Sequence, residues 1–413
     1  MKLPALLKPL SNRSFRFLWL GQSVSLLGDQ IYFVALTWLT LQLTGSGLAL
    51  GTVLMTAAIP RAIFMLVGGA LSDRVSPRNL MLVSNAIRAL LVGLITALVF
   101  FGTIQLWHLY ALSVTFGTVD AFFYPASRAI IPTLVNKDEL ETSNALVQGT
   151  SQITALIGPA PAGVIIAAMG LSVAFGFNAS AFAVAALFLL FMGTLNSRPN
   201  KPNGASNSKT STSKSLVLSI REGLHYAWKD PAIRGMLFII AAIDFSFVGP
   251  FEVGLAWLAD KRFIGGAAAL GLMLSAWGGG MLVGTIAGGI WRLRSHRGLF
   301  LLGISAALGI CLALVGVMPN VLLAAVVISV MGFGSGIVNI VLISWLQTRT
   351  DPEMLGRTMS LIMLASQGTV PFSYAMAGAL VDVHTTILFV IAGSIILVAA
   401  CYSATNRIIR SVE

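Results

Sequence analysis

The chain has 413 residues, 56% of them hydrophobic and only 10% charged, with a mean hydropathy of +0.88. A soluble protein of this size carries about 25% charged residues, so composition excludes a soluble globular fold and indicates a membrane protein. The net charge of +11 is therefore read through membrane topology rather than as a nucleic-acid surface.

Twelve apolar runs of spanning length follow one another, near 15–43, 48–71, 80–101, 107–134, 142–168, 172–195, 232–258, 267–290, 299–317, 320–346, 357–381 and 386–406. They are continuous rather than alternating, which predicts an all-α polytopic protein and not a β-barrel. Met1 to Phe17 is basic and interrupted by Pro4 and Pro9. The run after it is too long for a signal h-region, so the first helix is expected to be retained.

The first span holds a single acid, Asp29, about 21 Å into the helix, with Gln30 and Trp38 following it. A charge at that depth costs about 2.5 to 3.5 kcal/mol and should face a cavity or a partner. In the second span Arg61 is the deep cation, within "IPRAIF". The chain then turns through "GGALSDRVSPRNL", Gly68 to Leu80, where the Asp73-Arg74 pair meets a membrane face. Arg88 lies within the third span. The fourth carries Asp120 and the aromatics Phe116, Phe122, Phe123 and Tyr124. In the fifth, Gln152 precedes "IGPAPAG", whose Gly158, Pro159 and Gly163 should kink the helix and expose carbonyls toward protein or a water cavity.

Asn196 to Ser215 is rich in Ser, Asn, Lys and Pro and cannot bury itself. It predicts a linker, dividing the chain into a first six-helix half (1–195), a linker (196–231) and a second six-helix half (232–413). The seventh span supplies Asp244, Phe245, Phe251 and Glu252, and the eleventh supplies Gln367, with Asp382 at its end. All Lys and Arg except Arg61, Arg88, Lys261 and Arg262 fall on the side of the termini, which the positive-inside rule assigns to the cytoplasm. Shifting the second half back by about 215 positions superposes "SQGT" (Ser366 to Thr369) on "SQIT" (Ser151 to Thr154) and Asp244 on Asp29. The two halves thus repeat in the same sense, as parallel repeats about an axis normal to the membrane.

The loop after the second span resembles the cytoplasmic loop motif of the major facilitator superfamily, Gly-x-Leu-x-Asp-Arg-x-Gly-Arg-Arg. Gly69, Leu71, Asp73, Arg74 and Arg78 match it, whereas Ser76 and Pro77 depart. The resemblance implies that Asp73 meets the backbone near Gly356 and Arg357 and steadies the outward-facing state. "IGPAPAG" is similar to the helix 5 motif of the superfamily's antiporters. "FFYPASRAIIPTLVNKDELETSNAL" and "LQTRTDPEMLGRTMSL" resemble the branch that holds macrolide efflux pumps and enterobactin-type siderophore exporters. This implies the two-half major facilitator fold, with helices 1, 4 and 7 around a central cavity.

Two readings of the acids follow. Asp29, Asp120, Asp244 and Glu252 are candidates for proton coupling; alternatively, Asp29 or Asp120 pairs permanently with Arg61 and fixes helix packing. Candidates for the substrate pocket are Gln30, Trp38, Phe123, Tyr124, Gln152, Phe245, Phe251 and Gln367. The expected function is a proton-coupled exporter of amphiphilic small molecules (drugs, macrolides or siderophores) working by alternating access, as a monomer among lipids in the bacterial cytoplasmic membrane. An importer or flippase-like transporter of a metabolite or lysophospholipid is the alternative, and a passive facilitator or channel a second. No enzyme, cofactor, metal or nucleic-acid partner is expected: the four His are scattered, Cys311 and Cys401 lie in apolar spans, and there is no P-loop.

Overall fold

A computed structural model describes residues 5–72, 75–192, 228, 231–290, 297–349 and 352–405. Among the described residues the chain is helical throughout, without strands, and ten helices are long and apolar enough to cross a membrane. In chain order they are α1 (Arg13–Thr44), α2 (Gly47–Ser72), α3 (Pro77–Phe100), α4 (Leu106–Ala129), α5 (Leu140–Ile157, continued as Pro159–Met169) and α6 (Leu171–Phe191). There follow α7 (Pro231–Gly249, through Pro250–Gly254 into Leu255–Lys261), α8 (Ala267–Ile290), α9 (Arg297–Val315), α10 (Val321–Arg349), α11 (Pro352–Val381) and α12 (Thr385–Thr405). Two of these, α4 and α11, are not among the ten most apolar; they match the others in length and carry interior polar groups. Residues 196–231, the expected linker, lie outside the described residues apart from Trp228 and Pro231.

Local chemistry sets the breaks. The Asn12 side chain caps α1 by accepting from the amides of Ser14 at 2.9 Å and Phe15 at 3.3 Å, and donates to the Leu134 carbonyl at 2.7 Å. At the other end, Gly45 takes the left-handed conformation (φ 61°) and its N–H closes on Leu41 O. The fourth apolar run, read as unbroken to residue 134, is divided: α4 ends at Ala129 and a separate turn covers Ile131–Leu134. Pro132 at its start lacks the N–H needed to continue the helix. Helix α5 bends where Gly158 meets Pro159, and the Ala160 amide of its second segment donates to Ser275 Oγ of α8 at 3.0 Å. In α7 the Gly249-Pro250 step opens into a π-helical turn over Pro250–Gly254, which carries Glu252.

The first six helices pack chiefly among themselves, with α1 on α5 and α6, α2 on α4, and α3 on α4 and α6. The last six repeat the scheme, with α7 on α11 and α12, α8 on α10, and α9 on α10 and α12. The two sets meet along two seams, α2 against α11 and α5 against α8. Small residues bring the backbones together there, as is usual between helices in lipid. Gly51 faces the Tyr374 carbonyl and Gly378, while Gly271 faces Pro159. We call the end of the bundle that holds the turns at 45–46, 101–105 and 382–384 the outer end; both seams close on that side of the interior.

Candidate functional site

Between the two sets of helices lies a cavity of about 370 Å³, within the range of small-molecule sites. Asp29, Gln30 and Tyr32 of α1, Arg61 of α2, Phe116, Asp120 and Tyr124 of α4, Pro159 of α5, Phe251 and Glu252 of α7, Trp277 of α8 and Tyr374 of α11 line it. Seven of its nineteen lining residues are aromatic. Tyr32 stacks on Phe116 with ring centroids 4.0 Å apart, and Phe251 lies 4.8 Å from Trp277 and 5.0 Å from Phe247.

Two charged groups face this space. In the first, Arg88 of α3 stands behind the cavity wall with 1% of its side chain exposed. Its guanidinium hydrogen-bonds the Asp120 carboxylate and approaches Asp29 Oδ1 at 3.7 Å. It also lies over the ring of Phe123, 4.5 Å from the centroid, a cation–π contact in a dry setting. The two acids keep 28% and 18% of their side chains exposed on the cavity side. One guanidinium thus serves two carboxylates, and in their ionised forms the trio holds one uncompensated negative charge.

In the second group, the Tyr374 hydroxyl donates to the Glu252 carboxylate, and the Arg61 guanidinium lies within electrostatic reach of both. The bond joins α7 and α11 of the last set, and Arg61 of α2 shares the cavity wall with them. The expected pairing of Asp29 or Asp120 with Arg61 is therefore corrected. Arg88 is the partner within ion-pair distance, because α3 packs on α4 and presents it to Asp120, whereas Arg61 makes no ion pair with either acid among the described residues.

Of the other expected pocket residues, Gln30, Tyr124 and Phe251 line the cavity, and Trp38, Phe123, Gln152, Phe245 and Gln367 do not. Phe123 lies beneath Arg88, and Trp38 packs at the outer end against Gly266. Asp244 is also absent from the lining and faces the Ser366 hydroxyl. It precedes Glu252 by eight residues, about 12 Å along the helix. Gly158 abuts Gln30, and Gly163 abuts Ala267.

Arg78, expected in the loop motif, donates to the carbonyls of Leu189 at 2.9 Å and Leu190 at 3.1 Å, capping the end of α6. Asp73 and Arg74 lie outside the described residues, as do the side-chain surroundings of Gly69, Gly356 and Arg357. Sequence reading gave no role to Arg88, Tyr32, Trp277 or Tyr374. For Arg88 the signal was present, since a cation inside an apolar span needs a partner as much as Asp29 does.

Comparison with known proteins places this architecture. A family model described as Major Facilitator Superfamily matches residues 18–373. The multidrug efflux pump Tap of Mycolicibacterium fortuitum is 25% identical over 373 residues, covering 87% of this chain and 88% of that protein. Macrolide efflux protein A of Streptococcus pyogenes is 20% identical over 402 residues, 97% of each chain. Among solved structures, the nucleoside transporter NupG superposes with a TM-score of 0.73 at 13% identity, covering 94% of this chain and 98% of that one. A POT family transporter in complex with 5-aminolevulinic acid also gives 0.73, at 12% identity and 95% coverage of both chains. At these identities the two structures support the fold alone.

Proposed function

The chain belongs to the Major Facilitator Superfamily, and from its cavity we propose that it is a proton-coupled exporter of amphiphilic small molecules. One observation carries the reading: Asp29 and Asp120 share a single buried guanidinium at the cavity wall. The surplus negative charge is balanced either by a proton or by a cationic group of the substrate. Because both neutralise the same site, loading one releases the other, which is the condition for exchange. Asp29 is the acid we assign to this role, since Asp120 holds the hydrogen bond to Arg88 and Asp29 is the more exposed.

The cavity chemistry is consistent with the efflux named for Tap and macrolide efflux protein A. Tyr32, Phe116, Phe251 and Trp277 offer faces for an apolar or cationic ring system rather than a grid of fixed hydrogen bonds. The halves 1–195 and 232–413, joined by 196–231, rock about the two seams, with both termini in the cytoplasm of a bacterial cell. Asp73 takes the inner-loop role that the motif implies for it. Exchange of one proton for one monovalent cation moves no net charge, so the membrane potential cancels and each pH unit supplies about 1.4 kcal/mol, about a tenfold gradient of the cation.

The test is uptake of tetraphenylphosphonium and of a macrolide into everted membrane vesicles. Accumulation that collapses when a protonophore removes the proton gradient supports the proposal; accumulation indifferent to the protonophore contradicts it.

A further inference from the structure

The outer end of the α2–α11 seam holds a contact that neither the cavity nor the inner-loop motif accounts for. Asp382 directly follows α11. Its Oδ1 accepts from the Gly47 amide at 2.6 Å, and its Oδ2 from the Leu48 amide at 3.1 Å and the Ser46 hydroxyl at 2.9 Å. Ser46 Oγ in turn accepts from the Ala49 amide at 3.3 Å. The first amides of α2 are thus capped by a carboxylate from 335 positions away in the sequence. A carboxylate at that position also meets the positive end of the helix dipole.

The position of this cap gives it a consequence. Helices α2 and α11 come from different six-helix sets, and just beneath the cap Gly378 packs on Gly47 and Gly51, with Val381 against Gly47. Below these, Leu54 and Tyr374 already line the cavity. The cap therefore sits on the outer lip of the substrate space and exists only while that lip is closed. The second seam carries a neutral side-chain contact, the Ala160 amide donating to Ser275 Oγ at 3.0 Å, and no carboxylate cap at its outer end among the described residues. There Gly163 lies against Ala267 and Gly271 against Pro159, by backbone contact.

We propose that Asp382 is a latch for the outwardly closed state. Its three hydrogen bonds favour that state over any in which α2 and α11 have parted at the outer end, and they set how often the cavity opens outward. A group that interacts with one conformation and not the other shifts the equilibrium by that difference alone. The latch operates with or without a coupled proton, so it stands apart from the exchange proposed above.

The test uses Leu54→Cys in a chain whose Cys311 and Cys401 are replaced by Ala. A membrane-impermeant maleimide is added to the outer side of oriented vesicles. The cavity-wall thiol is reached only through the outwardly open state, so the labelling rate reads the population of that state even when it is minor. Asp382→Ala should raise the rate about two- to tenfold, the range expected for loss of a solvent-reachable helix cap. Ser46→Ala, which removes one of the three bonds and leaves the carboxylate, should give a smaller rise and keeps the test valid if Asp382→Ala does not fold. Rates equal to the parent in both variants, or an unchanged rate in Ser46→Ala when it alone folds, would overturn the latch. Loss of proton coupling elsewhere in the protein would leave the measurement unaffected.

Discussion

Arg88 and Asp29 stand 3.7 Å apart, the arginine almost wholly enclosed and the aspartate open to the cavity. Asp120 holds the same guanidinium from the other side. The arrangement fixes the cation and leaves the acids to change state, because Arg does not lose its proton in proteins. It also orders the consequences of mutation.

Arg88→Met should be the most damaging single change in this group. It leaves two adjacent carboxylates without their cation beside the rings of Phe116, Phe123 and Phe182. Breaking a buried pair on one side costs about 3 to 5 kcal/mol. The double variant Arg88→Met/Asp120→Asn should recover much of that loss, since it removes charge from both sides. Thermal unfolding in detergent checks both, and a double variant no more stable than the single one contradicts the pairing.

Asp120→Asn should lower stability more than Asp29→Asn, although both acids line the cavity. The first removes the charge from the hydrogen bond to Arg88, and the second only a partner at 3.7 Å. The expected difference is about 1 to 2 kcal/mol, the margin of a charge-assisted hydrogen bond over a looser contact. Equal melting temperatures for the two variants would count against the assigned geometry.

Tyr374→Phe removes the hydroxyl that donates to Glu252. Leaving polar partners unsatisfied costs about 1 to 3 kcal/mol, and here the cost falls where α11 meets the π-helical turn of α7. The variant should melt earlier, whereas Tyr124→Phe, at a cavity position 39% exposed, should remain close to the parent. Comparable losses in both would remove the bridge from the account.

Gly51→Val places a side chain against the Tyr374 carbonyl and Gly378, where backbone atoms cannot yield. Overpacking of this kind costs about 1 to 3 kcal/mol, and parting the seam relieves it. Spin labels at Phe101→Cys and Val317→Cys, on outer turns of the two helix sets, should report a population at longer separation. A distance distribution identical to that of the parent would show that the seam is not the moving part.

The spans and the acids were legible in the sequence because both are one-dimensional signals: a long apolar run, and a charge within it. Which cation meets which acid was not. Arg61 and Arg88 are both cations deep within apolar spans, and only the packing of α3 on α4 selects Arg88 for Asp120. Asp244 matches Asp29 by internal repeat, yet it lies outside the cavity lining, since the repeat fixes the order of the helices and not the extent of the cavity along them. Tyr374 and Trp277 carry no charge, so nothing marked them off from other aromatics in apolar helices. The π-helical turn that carries Glu252 was hinted at only by Gly249-Pro250, where a missing N–H disturbs the helical ladder. The latch at Asp382 depends on two segments 335 positions apart, beyond any local pattern.

The central claim is that proton and substrate compete for one carboxylate, and it is tested most directly by proton release on substrate binding. Purified protein in weakly buffered detergent, at a pH where the site is protonated, is mixed with tetraphenylphosphonium in the presence of a pH dye. The account predicts release of about one proton per bound cation from the wild type and none from Asp29→Asn, which should still fold. Binding without proton release in the wild type, or undiminished release in Asp29→Asn, would contradict it.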